Sequence, residues 1–427
     1  REDAFFHNKR RVTAKDVEYS LAKGLKKYTF GVFSSIEHIE SASETTINLT
    51  LNRDDPSFLL SIWDTEIVPR PQEGSTDVDT YNHPIGSGPF RFQYRDGEKE
   101  VGLVANTDYF DGSPSLDRII FYYFSDSEKS WARLLSGKTD IVNSIYPKDF
   151  EMIRQYEQSF QFNAKILSLY TLLLFNTADP LFADPKVRLA LSHAVDKEYL
   201  VQKILRGAGV VAAGPMGIGS PYHNPEVSAV PFNPAKGRKL LEEAGWTFNE
   251  ETHCLEKDGR YFDFTILIFD GYQVHRRIAE YLQLCFYDLG IKAHLQSLPF
   301  DVLLKRYSGN MEFQAVLTEL SDARDAPENL CMLWAPGHGG STSAGAGSFS
   351  HPAVTSLFQK VLREKDASAR TKLYFELDDL LNSLQPGIFL FHRRSLDAIS
   401  KRIKLYSTFE LDAAGIHQLR RASVGAH

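Results

Sequence analysis

Ser136-Gly137-Lys138-Thr139 sets a glycine, a lysine and a hydroxyl in the order that a phosphate-binding loop uses. Such a loop also needs a glycine five residues before the Gly-Lys pair, where this chain has Ala132. It must also open a helix, because the helix N-terminus supplies the amides that hold the anion. Lys129 to Leu135 reads as a helix that ends here, so Gly137 is expected just past its end, closing it. Gly207-Ala208-Gly209-Val210-Val211-Ala212 fits a loose dinucleotide fingerprint, but it follows a helical pattern where that fold needs a strand. The thirteen histidines are scattered, with no HExxH. Ser341 and Ser343 lie in a glycine-rich stretch without the GxSxG elbow of a nucleophile. No constellation suits catalysis or a resident metal or cofactor, so the expectation is a protein that binds rather than an enzyme.

The elements that would position a site alternate between helix and strand, which is an α/β class. Thr13 is placed to cap a helix that carries Val17 and Leu21 at helical spacing. Ile47–Leu51, Phe90–Phe92 and Ile119–Phe124 read as strands, and Gly86–Pro89 and Asp111–Pro114 as turns. Further on, Thr171–Phe175, Phe262–Phe269, Ile291–Leu298 and Ile388–Phe391 read as strands. Lys186–Leu205, Pro234–Ala244, Val274–Leu289 and Ser368–Leu384 read as helices. Gly245 and Gly290 stop two of these helices and Pro386 follows the last. Gly207–Pro221 and His338–Ser350 are expected to be loops.

Composition narrows the function. The chain has 427 residues, with 48 Lys+Arg against 55 Asp+Glu and a formal charge of −7. A mildly acidic chain is a poor match for the phosphate backbone, so no nucleic-acid partner is expected. Length predicts two or three domains, and 43% hydrophobic residues suffice for large cores. Apolar runs such as Leu172–Phe175 are far shorter than a bilayer requires. Cys254, Cys285 and Cys331 form no zinc or redox spacing, and their disulfide state is left open.

Several segments together resemble the family 5 extracellular solute-binding proteins, the periplasmic or lipid-anchored receptors of peptide, nickel and related ABC importers. Phe6-His7-Asn8-Lys9-Arg10-Arg11-Val12-Thr13-Ala14-Lys15-Asp16-Val17 is similar to the family's F-x-D-G-x-x-V-T-A-x-D-V, with Asn8-Lys9 replacing Asp-Gly. His83-Pro84-Ile85-Gly86-Ser87-Gly88-Pro89-Phe90 resembles its P-V-G-T-G-P-Y turn. Asn106 through Pro114 is similar to N-P-D-Y-W-G-G-x-P, and Leu134 through Ile141 to L-x-x-G-E-V-D-I. Leu174–Thr177, Asp184–Leu191 and Ala194–Lys197 match its F-N and D-x-R-V-R-Q-A-L…A-I-D-R series, and Pro234–Trp246 its P-E-K-A-K-x-L-L-x-E-A-G-Y helix. The ordered series runs from Phe5 to about Leu405.

The resemblance implies a two-lobed Venus-flytrap fold that closes on ligand by hinge motion. Lobe I would comprise residues 1–170 and 394–427, and lobe II residues 171–393. Family members carry further residues before the Phe6 motif, so the chain is expected to lack an N-terminal segment of lobe I, and any signal segment with it. The implied function is a monomeric periplasmic or lipid-anchored receptor that delivers a ligand, a peptide in the first instance, to a membrane permease. The alternatives are a ligand-sensing domain of a transcriptional regulator, or a receptor for a nickel complex, haem or an oligosaccharide.

Glu319-Leu320-Ser321-Asp322-Ala323-Arg324-Asp325-Ala326-Pro327 resembles the family's W-x-x-D-Y-x-D-P. In peptide-binding members the first aspartate of that motif holds the ligand's α-ammonium, a charge-assisted pair, so Asp322 is the expected anchor. Its competing roles are pairing with Arg324 or capping a turn. Glu319 stands where the family often has Trp. Asp270 and Tyr272 lie in a short loop where dipeptide receptors carry an arginine for the ligand carboxylate. Glu319, Asp322, Asp325 and Asp270 together would favour a cation, with Tyr272 and Trp334 as aromatic contacts.

Overall fold

The computed structural model describes residues 2–27, 35–52, 58, 62, 65–71, 82–124, 127–145, 147–309, 311–322, 330–335, 346–404 and 423–424. The chain divides into two units: Arg1–Arg53, Ile62–Ala164 and Ser395–His427 in the first, Asp54–Ser61 and Lys165–Arg394 in the second.

In the first unit the helix Ala14–Lys27 precedes an antiparallel pair, β1 (Ile36–Ser41) and β2 (Ile47–Leu51). A meander follows, formed by β3 (Phe90–Asp96), β4 (Glu100–Ala105) and β5 (Arg118–Tyr122). The helix Ser127–Leu135 leads to β6 (Ile141–Val142), the helix Pro147–Arg154 and the start of β7 (Phe160–Phe175). Leu134, Ile153, Phe160 and Ala398 lie at the centre of one apolar cluster here. Gly137 has φ +68° beyond the helix Ser127–Leu135, the left-handed terminator its spacing predicted.

Two of the family-like motifs explain themselves in this unit. Thr13 Oγ1 donates to Asp16 Oδ2 at 2.8 Å, and the Thr13 amide donates to the same oxygen at 3.0 Å. Asp16, only 2% exposed, also receives the Arg70 amide and the Arg10 guanidinium, so one carboxylate ties the helix start to two other segments. His7 accepts from the Gly86 amide at Nδ1, so its Nε2–H is the donor to the Gly88 carbonyl at 3.0 Å. Burial lowers the His7 pKa, which keeps it in this neutral form.

The second unit holds a sheet ordered β13-β12-β14-β7-β15, where β12 is Asp263–Phe269, β13 Lys292–Leu298, β14 Ala315–Ser321 and β15 Gly387–Ser400. The short β8 (Gly209–Val211) pairs with β15, and β9 (Thr247–Asn249), β10 (Cys254–Lys257) and β11 (Arg260–Tyr261) make a small separate sheet. β12 and β13 are parallel and joined by the helix Gln273–Tyr287, while β14 runs antiparallel to β7.

Successive strand residues face opposite ways, and both faces of this sheet are covered. Leu173, Phe175, Ile266, Ile268 and Leu317 pack with Val187, Ile278 and Phe286 on one face. Tyr170, Leu172, Leu174, Leu267 and Val316 pack with Trp334, Phe358 and Tyr374 on the other. Coverage on both sides is why Leu172–Phe175 and Ile388–Phe391 read as unbroken apolar runs. They are the inner parts of longer strands, and the chain passes between the units within β7 and β15.

The long helix expected over 186–205 is not continuous. The helix Pro185–His193 stops, and Asp196 caps a new turn by accepting from the Tyr199 amide at 2.8 Å, before a π-type turn over Leu200–Ile204. A short aspartate side chain that satisfies a nearby amide competes with helix continuation. Arg188, 4% exposed, donates to the carbonyls of Phe182, Ala183, Leu384 and Gln385, which binds the helix Pro185–His193 to the C-terminal end of the helix Ala367–Leu384. Cys254 and Cys285 are free thiols. Among the described residues no helix is long and apolar enough to cross a membrane.

Candidate functional site

The register of β14 on β7 places the acidic segment. Glu319 lies opposite Thr171, Leu320 opposite Tyr170 and Ser321 opposite Leu169, and the Asp322 amide donates to the Ser168 carbonyl at 3.1 Å. Strand alternation therefore sends Glu319 and Asp322 to opposite faces of the sheet.

On one face Asp322 is 1% exposed. His392 of β15, equally buried, brings Nδ1 to 3.9 Å from Asp322 Oδ2, a range for charge attraction rather than a hydrogen bond. The Tyr170 ring meets His392 edge-on at 6.0 Å, and burial, with the Asp322 charge adding to it, drives the Tyr170 hydroxyl well above its usual pKa. The backbone of Gly217 covers the Asp322 carboxylate so closely that a Cβ there would collide with Oδ2 and Cγ.

The same loop meets a second buried carboxylate. A Cβ at Gly214 would collide with Asp378 Oδ1. Asp378 accepts from the Asn224 amide at 3.4 Å and has His223 Nδ1 at 3.4 Å. Burial raises its pKa, opposed by His223 and the backbone donors. Tyr222 packs on Tyr374 at 4.7 Å between ring centroids. The segment from Gly214 to Asn224 is thus seated on Asp322 and Asp378, and a side chain at either glycine would displace the carboxylate it faces.

On the other face Glu319 accepts from Arg393 Nη1 at 3.0 Å and from Thr171 Oγ1 at 3.4 Å, with His275 Nε2 at 3.7 Å. The Arg393 guanidinium lies over the Tyr272 ring at 5.6 Å, and Tyr272 meets His275 edge-on at 4.8 Å. Burial opposes ionisation of Glu319, but His275 and Arg393 outweigh it and hold the carboxyl below its usual pKa.

The model of bacterial extracellular solute-binding proteins, family 5 Middle, matches residues 1–341. The chain belongs to this family. It is 29% identical over 332 residues to the oligopeptide-binding protein AppA of Bacillus subtilis, an alignment covering 73% of this chain and 60% of the relative. It is 25% identical over 427 residues to heme-binding protein A of Haemophilus influenzae, covering 96% of this chain and 75% of the relative. The solved structure of Bacillus subtilis AppA with a nonapeptide shares the fold at a TM-score of 0.84 and 23% identity, covering 99% of this chain and 86% of that one. NikZ of Campylobacter jejuni with Ni(L-His) does so at 0.79 and 22%, covering 95% and 82%. The fold is therefore the two-lobed α/β fold of the family.

Within this family framework the expected site residues separate. Asp322 is buried against Gly217, and Glu319 and Tyr272 share one cluster on the opposite face. Asp270 is exposed at the end of β12, its amide donating to the Leu298 carbonyl at 3.0 Å. Trp334 is fully buried in the core, against Phe349 and Phe389. Asp325 lies outside the described residues. Of the acids described, Glu319 and Asp322 face opposite sides of the sheet, and the charge of Glu319 is met by Arg393. His275, Arg393, His392, Asp378, Gly214 and Gly217 escaped the sequence reading. Only Arg393 and His392 carried any signal, through their place in the strand that returns between lobes. Among the described residues no group of three or more His, Cys, Asp or Glu could hold a metal ion.

Proposed function

We propose that the protein is an extracytoplasmic, non-enzymatic receptor that captures a peptide through its α-ammonium at Asp322 and delivers it to an ABC-type membrane permease. This reading assigns residues 1–170 with 394–427 to lobe I and 171–393 to lobe II. The observation that carries it is the match of the family's model over residues 1–341, in which Asp322 is the residue aligned with the family's ammonium-binding aspartate. The name of the Bacillus subtilis relative, an oligopeptide-binding protein, supports the ligand class.

The test is mass spectrometry of material that co-purifies with the intact native protein, released by denaturation, for wild type and Asp322→Asn. A ladder of peptides on wild type is expected. The variant should retain it about a hundredfold less or worse, as loss of one partner of a buried charge pair costs about 3–5 kcal/mol. A single non-peptide compound on both proteins would refute the peptide assignment.

A further inference from the structure

We propose that Asp378 is a positioning residue for ligand capture, holding the segment Gly214–Asn224 as a cap over the Asp322 carboxylate. The proposal rests on the receptor reading and adds to it a residue that acts through the cap rather than on the ligand.

One face of the helix Ala367–Leu384 grips this segment. Residues four apart on a helix lie one above the other, and Tyr374, Asp378 and Asn382 stand at that spacing. The Tyr374 ring packs on Tyr222 at 4.7 Å between centroids, and Asn382 Nδ2 donates to the Ser228 carbonyl at 2.8 Å. Between them Asp378, fully buried, accepts from the Asn224 amide at 3.4 Å. His223 and the backbone of Met216 also favour its charge, and its Oδ1 faces the backbone of Gly214. One carboxylate thus meets both ends of the segment.

The middle of the segment is tied to those ends. The Ala212 amide donates to the Leu390 carbonyl at 3.2 Å, which fixes the approach from the sheet. The Ser220 amide donates to the Gly217 carbonyl at 2.9 Å, and the His223 amide to the Ser220 carbonyl at 3.2 Å. The Tyr222 amide donates to Ser220 Oγ at 3.3 Å. These bonds join Gly217 to the His223–Asn224 end that Asp378 holds, so a shift at the carboxylate is carried to Gly217. Gly217 is the residue whose backbone covers Asp322.

A cap matters to a charge pair because water weakens it. The attraction between two charges is about fourfold stronger near a protein surface than in bulk water. An ammonium paired with Asp322 under the cap is shielded, whereas with the cap displaced the pair is an exposed one, worth about fivefold or less in affinity. Burial raises the Asp378 pKa, so its charge is costly where it sits. A neutral acceptor of the same shape, asparagine, therefore serves to hold the cap.

The experiment incubates the full chain with mixed-sequence hexapeptide amides, each present with a free and with an acetylated amino terminus, and quantifies retained peptides by mass spectrometry. Wild type is expected to prefer free amino termini by about tenfold to a hundredfold, the worth of a charge-assisted pair. Asp378→Ala should reduce that preference to about fivefold or less, and Asp378→Asn should keep most of it. The ratio is internal to each sample, so partial unfolding of a variant does not alter it. A preference unchanged in Asp378→Ala, or lost equally in Asp378→Asn, overturns the proposal. The cap is also tested without ligand, by urea denaturation of Gly217→Ala, Asp378→Ala and the double variant. A segment released by Asp378→Ala no longer presses residue 217 on Asp322, so the cost of Gly217→Ala should largely vanish in that background. Additive costs, the mark of independent sites, overturn the cap whatever the peptides show. If wild type shows no preference for free amino termini but the two substitutions are coupled, the cap stands and the ammonium reading fails.

Discussion

Replacing Lys197 by methionine should stabilise the protein at neutral pH and do little at pH 10. Lys197 is 4% exposed, follows the break after the helix Pro185–His193, and its Nζ has no hydrogen-bond partner among the described residues. Its neighbours in sequence, Ala194, Val195 and Leu200, belong to the apolar core. Burial lowers its pKa from 10.5 to about 7. The unfolded chain therefore binds a proton between pH 10.5 and 7 that the folded chain does not. Stability must rise with pH across that window, by 1.36 kcal/mol per pH unit. Accumulated down to pH 7, the cost of keeping this lysine is about 4 kcal/mol. At pH 10 it is below about 1 kcal/mol, since the unfolded lysine is then partly neutral as well. Methionine has a similar shape and no charge to desolvate. The assay is urea denaturation of wild type and Lys197→Met at pH 7 and pH 10, with equal m-values required before midpoints are compared. A gain of several kcal/mol at pH 7 that shrinks at pH 10 is expected. No gain at pH 7, or the same gain at both values, would refute the reasoning, because only a buried proton-linked cost has that pH signature.

Two further substitutions, each with a companion variant, test the packing of this fold. Gly217→Ala should cost about 1–3 kcal/mol by overpacking and displace the Asp322 carboxylate, seen as a lower melting temperature together with reduced retention of the natural ligand. Gly88→Ala is the control, since a Cβ there meets nothing within 4 Å and its midpoint should stay near wild type. Arg188→Met should lower stability by about 3–5 kcal/mol, because four carbonyls lose their buried donor. Arg188→Lys should recover little of that in the same melting experiment, as a point-like ammonium cannot reproduce the fork.

The elements legible in the sequence were those whose signals are local. Asn233 accepts from the Lys236 amide, Pro234 opens the helix Pro234–Glu243, and Gly245 beyond it has φ +88°, all within about a dozen residues. The unit β12–helix–β13 was equally legible, because its apolar period changes from strand to helix and back at Gly290. Fold class and family membership follow from an ordered series of such short signals. Asp322 was singled out for the same reason: its motif is contiguous.

What surrounds Asp322 and Glu319 was decided by tertiary structure. Thr171 lies 148 residues from Glu319 and Arg393 lies 74 away, and only strand register makes them neighbours. A strand's side chains alternate with period two, so a slip of one residue would have exchanged Glu319 and Asp322 between faces. The sequence shows four acids near two motifs, and their summed charge suggests a cationic site. The fold separates the three that are described, meeting Glu319 with an arginine, covering Asp322 with a glycine, and leaving Asp270 in solvent. Charge composition is a property of the chain, but what each charge can bind depends on burial and on which distant strand packs beside it.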